Sequence, residues 1–95
     1  KYYEVTVTLQ VDDETEEDKT YFFRKPKTPS YDRYLKTVQT SNSKALTAFC
    51  LDNIHPDQRE TLEADFKEYP AMALSVGEKL LAMLGLSKAT AVKKL

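Results

Sequence analysis

An α+β domain is the fold class this sequence predicts: an N-terminal antiparallel β-hairpin followed by about four α-helices, the last long helix packing on the hairpin. Three observations carry that reading. Apolar and polar residues alternate strictly from Tyr3 to Val11, the middle of the chain switches to helical spacing, and the stretch from Pro70 to Leu84 is apolar around most of a helix. A length of 95 residues suits one such domain with a single modest core.

In the first strand Tyr3, Val5, Val7, Leu9 and Val11 take the odd positions, while Glu4, Thr6, Thr8 and Gln10 take the even ones. The next seven residues, Asp12 to Asp18, hold six acids and one threonine, so they are expected at the solvated tip of a hairpin. Lys19 to Lys25 supplies the returning strand, rich in Tyr21, Phe22 and Phe23, and Pro26 ends its capacity to donate ladder hydrogen bonds. Two strands alone are marginal in water, so one face of the hairpin needs a helical cover.

Thr28 and Pro29 suit an N-cap and a first helical residue, after which Tyr31, Tyr34, Leu35 and Val38 recur at helical spacing as far as about Thr40. Ser43 is positioned to cap a second helix whose inner face is Leu46, Phe49, Cys50 and Ile54. Pro56 disfavours helical geometry at His55 and opens a third helix, on which Leu62, Phe66 and Tyr69 form a narrow stripe between wet flanks. The fourth runs from Pro70 to Leu84, with Gly85 as its stop. Its main face is Ala73, Val76, Leu80 and Leu84, and burying each large apolar side chain contributes roughly 1.5–3 kcal/mol. Residues 1–86 thus make one domain, and the basic segment 87–95 is expected to fray.

Met72, Leu74, Leu81 and Met83 lie off that main face. Either they are offered to a partner or to another copy of the chain, or the hairpin and the other helices bury them too. Methionines suit the first role, because a flexible, polarisable side chain tolerates varied partners.

Composition narrows the function. The hydrophobic share is 41% and the charged share 31%, with a net charge of −1, so neither disorder nor a general attraction to nucleic acid or anionic lipid is expected. The one cysteine, Cys50, can form no internal disulfide, and no signal or membrane-length apolar run is present, which points to a reducing, intracellular setting. The acidic run lacks the alternating layout that wraps a calcium ion, Cys50 and His55 are badly spaced for a metal or a nucleophile pair, and two glycines make no phosphate loop. No enzyme, metal or cofactor is expected. The aromatic and basic run Tyr21 to Lys27 would suit stacked bases, but the acidic tip beside it opposes a polyanion.

Several stretches also resemble a known group: the Phe-Arg-Lys-Pro step at Phe23 to Pro26 with the Tyr31-to-Leu35 helix after it, then Leu51-Asp52-Asn53-Ile54-His55-Pro56-Asp57, and most of all the run from Glu68-Tyr69-Pro70 through Leu80-Leu81. In these the chain resembles small tailed-bacteriophage proteins known as tail assembly chaperones or tail-associated proteins of unknown function. The resemblance implies a non-enzymatic binding module of the host bacterial cytoplasm that keeps a long tape measure protein soluble during tail assembly, with weak self-association at most. Its rivals are a small structural tail or head-tail connector protein, which would assemble through the hairpin edge, and a nucleic-acid-binding regulator.

Overall fold

The computed structural model describes residues 1–85, together with 93 and 94. Strands β1 (Tyr2–Gln10) and β2 (Glu16–Arg24) form the antiparallel hairpin, followed by helices α1 (Thr28–Val38), α2 (Asn42–Asn53), α3 (Arg59–Glu68) and α4 (Met72–Ala82). The predicted α+β order is therefore the observed one. The expected frayed tail at 87–95 falls almost wholly outside the described residues.

The hairpin register is one-to-one from Tyr2 opposite Arg24 to Gln10 opposite Glu16, with no bulge. The turn is shorter than the acidic run. Glu16, Glu17 and Asp18 are strand residues, and only Val11 to Thr15 turn the chain. Asp12 explains why: its Oδ1 accepts from Glu14 N–H at 2.9 Å and Thr15 N–H at 2.8 Å, holding the turn with a side chain beside the backbone bond from Val11 N–H to Thr15 O. Those donors hold its carboxyl below the usual carboxylate range.

Helix boundaries depart from the expected ones where a local competitor wins. Thr28 is the first residue of α1, and Lys27 sits at the cap without a side-chain bond. At α2 the cap is Ser41, whose Oγ accepts from Lys44 N–H, so the helix starts ahead of Ser43. His55 itself caps the short 3-10 turn Pro56–Gln58 through Nδ1, which accepts from Asp57 N–H at 3.1 Å. Pro70 and Ala71 form a turn before α4, and Gly85 ends that region with φ of +107°, a left-handed conformation that favours glycine.

The core joins Tyr21 and Phe23 from β2, Phe49 and Cys50 from α2 with Ile54 just after it, Leu62 and Phe66 from α3, and Met72, Ala73, Val76 and Leu80 from α4. Helix α4 packs on the hairpin, as its apolar circumference requires, with Val5, Val7 and Leu9 of β1 half-buried at that contact. Its tightest neighbour is α2. A Cβ built on buried Gly77 would stand 2.6 Å from Leu46 Cδ2, so the glycine lets these two helices approach closely. Helix α2 is thereby flanked by α1 and α4, with Tyr34 of α1 against Phe49 at 5.2 Å between ring centres.

Candidate protein-binding face

The four α4 side chains predicted to face a partner do not form one patch. Met72 and Met83 are eleven positions apart, close to three turns of helix, while Leu74 and Leu81 are seven apart, close to two. The pairs therefore flank the Ala73-Val76-Leu80 face on opposite sides. Met72 is 3% exposed and belongs to the core, with Tyr21 Oη 3.8 Å from its Sδ, so it presents nothing to a partner. Leu74 is 49% exposed, and Leu81 and Met83 are half-buried.

Each flank opens on a hollow. Between α1 and α4, Tyr31, Tyr34, Leu81 and Leu84 line a cavity of about 790 Å³, to which Lys25 and Lys27 add positive charge. The two tyrosines stack at 6.2 Å, a consequence of their three-residue spacing on α1. On the other flank, two hollows follow one another along β1. One, of about 520 Å³, is lined by Tyr3, Val5, Lys25, Lys79 and Met83, and the next, of about 360 Å³, by Val7, Leu9, Tyr69, Met72 and Ser75.

Other candidates are occupied structurally. Cys50 is fully buried, and loss of solvation pushes its thiol up to about 12, which keeps it protonated and inert at neutral pH. His55 spends Nδ1 on its cap and lays its ring against Tyr2 at 4.6 Å. Among the described residues, no group of three His, Cys, Asp or Glu side chains converges as a metal site. No helix of the described residues is long and apolar enough to cross a membrane.

Two polar clusters escaped the sequence reading. Tyr21 is 1% exposed, and its hydroxyl donates to Asp65 Oδ2, whose other oxygen accepts from Lys19 Nζ at 3.3 Å. Burial and the Asp65 charge raise the Tyr21 phenol far above its ordinary value, and Asp65 also raises the Lys19 ammonium. Asp65 was expected on the wet side of α3. Its place beside Phe66 and three positions after Leu62, together with the need of a buried tyrosine for a partner, was the available signal. The second cluster joins Ser30 to Asn53, the buried polar residues of α1 and α2.

The solved structure of an uncharacterised protein, rbstp2171 from Bacillus stearothermophilus, is similar to this one with a TM-score of 0.80. The two share 24% sequence identity, and the match covers 98% of this chain and 90% of that one. It shows that the hairpin-and-helices arrangement is a recurring fold. No curated protein matches the chain. A family model matches residues 1–93, and on that span the chain belongs to the family described as a domain of unknown function, DUF6848.

Proposed function

We propose that this protein is a phage tail assembly factor: a chaperone-like, non-enzymatic module of the host cytoplasm that binds a segment of the tape measure protein. The observation that carries the reading is the hollow of about 790 Å³ between α1 and α4, with Tyr31, Tyr34, Leu81 and Leu84 on its apolar walls beside Lys25 and Lys27. A groove of that make-up accepts the apolar stripe of an amphipathic helix, and the lysines favour acidic residues along the stripe's margin. The resemblance in the run from Glu68 to Leu81 implies a partner that is long and partly helical, which such a groove suits.

The test titrates the full chain with helical peptides tiled along the tape measure protein of the same phage, followed by calorimetry. Leu81→Asp places a charge on the apolar wall and is expected to weaken binding at least tenfold, or about 1.4 kcal/mol, with the helical circular dichroism unchanged. Failure of every peptide to bind the wild-type chain would refute the reading. Loss of folding in Leu81→Asp would show instead that this flank serves the core.

A further inference from the structure

The two edges of the hairpin are treated very differently. Along β2, the outer edge is covered: Gln58 Oε1 accepts from Phe22 N–H at 2.7 Å, Gln58 Nε2 donates to Thr20 O at 3.1 Å, and His55 N–H donates to Phe22 O at 2.8 Å. Ile54 adds a bridge to Phe23, and the remainder of that edge, Glu16 to Lys19, is wholly charged. Acids and covering loops are the usual means of stopping a strand from pairing with another chain.

Among the described residues, strand β1 has none of these protections. Its nine residues run without a bulge or a proline, and Glu4 is their one charge. Val11 N–H donates to Thr15 O at the hairpin end, which sets the phase of the ladder: odd residues of β1 bond inward to β2, and Tyr2, Glu4, Thr6, Thr8 and Gln10 aim their backbone groups outward. The outward bonds of Thr20 and Phe22, which pair with Thr6 and Glu4, agree with that phase. Among the described residues, no backbone or side-chain group bonds these five from outside the hairpin.

We propose that the free edge of β1 pairs antiparallel with β1 of a second copy, about a two-fold axis at Thr6, to give a dimer with a continuous four-stranded sheet. Pairing about Thr6 sets Tyr2 opposite Gln10 of the partner subunit, Glu4 opposite the partner's Thr8, and Thr6 opposite the partner's Thr6. All five outward residues then exchange both bonds with a counterpart. Because paired positions share parity, Val5 meets the partner's Val7 and Tyr3 meets the partner's Leu9 on the helix-facing side, where these residues are incompletely buried in one copy.

The charges fit the same arrangement. No acid faces an acid, and the partner's Asp12 and Asp13 arrive beyond Lys1, at the end of the strand where Lys25 and Lys79 line the hollow over Tyr3. Symmetry makes that contact twice. A register centred on Glu4 would instead set the two Glu4 side chains against each other. Lys25 borders both hollows, but the strand edge itself lies on the flank of α4 away from Leu81, so this dimer does not depend on the function proposed above.

Light scattering on the full chain during size-exclusion chromatography tests it. The wild type at about 100 µM is expected at twice the 10.9 kDa chain mass, falling toward the monomer on dilution. Thr6 is exposed and directs its N–H away from β2, so Thr6→Lys and Thr6→Pro are both compatible with the intramolecular ladder. Each is expected to shift the mass to that of the monomer, the first by opposing two like charges and the second by removing a central donor. Thr6→Val and Leu81→Asp are expected to leave the dimer intact. In hydrogen exchange the Glu4, Thr6 and Thr8 amides should be protected in the dimer and lose protection on dilution. A monomeric wild type overturns the proposal, whether its β1 amides exchange freely or are protected by another segment of the same chain; so does a dimer that survives both disruptive substitutions at Thr6.

Discussion

Asn53 is fully buried, and both atoms of its amide are engaged. Nδ2 donates to Ser30 Oγ at 3.0 Å and to Phe49 O at 2.8 Å, and Oδ1 accepts from Arg24 Nε at 3.4 Å. One side chain thus ties α1, α2 and β2 together at the C-terminal end of α2. Arg24 also donates from its guanidinium to Asp52 O at 2.8 Å, satisfying a carbonyl that the helix end leaves open and placing positive charge where the helix dipole favours it. Asn53→Ala removes the donor to a buried serine and opens a small void. It is expected to cost about 2 kcal/mol, read as a lower urea midpoint with an unchanged slope. A loss below about 0.5 kcal/mol would mean that water replaces the amide without penalty.

At the scale of elements, α4 shows how periodicity can be right about burial and wrong about faces. Its apolar circumference predicts cover on several sides, and three neighbours supply it: α2 against Gly77, the hairpin beside Met72, and α3, while the side of Leu81 opens on the hollow shared with α1. The near-whole-turn spacings of Met72 with Met83 and of Leu74 with Leu81 put them on opposite flanks, and only the neighbours determine which flank is closed. Gly77 marks the closest approach. Gly77→Ala gains about 1 kcal/mol of helix propensity and loses a comparable amount by pressing on the terminal methyl of Leu46, a group able to rotate away. Its free energy of unfolding is expected within about 1 kcal/mol of the wild type. Gly77→Val adds branches that rotation of one methyl cannot accommodate, and is expected to cost more than about 2 kcal/mol. Equal effects from the two substitutions would contradict the close packing of α2 on α4.

Across the whole molecule, three groups link stability to alkaline pH in the same direction. Tyr21 and Cys50 are raised by burial, and Lys19 by Asp65. Each holds its proton more tightly when folded than when unfolded. Their contribution is therefore complete below the unfolded values, about 8.5 for a thiol and about 10 for a phenol or an ammonium, and is lost as pH rises toward the folded ones. The urea midpoint is expected to stay level from about pH 7 to 8 and to fall steadily above about pH 9. Tyr21→Phe should lower stability at neutral pH and flatten that alkaline decline, because the variant has no phenol to ionise on unfolding. A midpoint that holds to about pH 11 would rule out the linkage.

The sequence by itself determined the order of elements, the inward face of the first strand, the glycine stop after α4 and the need to cover that helix, since all of these follow from local periodicity and backbone conformation. It did not reveal that Asp65 meets Tyr21, that Asn53 binds Ser30, or that one hairpin edge is closed by Gln58 while the other, among the described residues, stands open. Those pairings join residues from separate elements. A polar side chain on a helix margin looks the same in sequence whether it meets water or a buried partner, so only the tertiary packing decides between them.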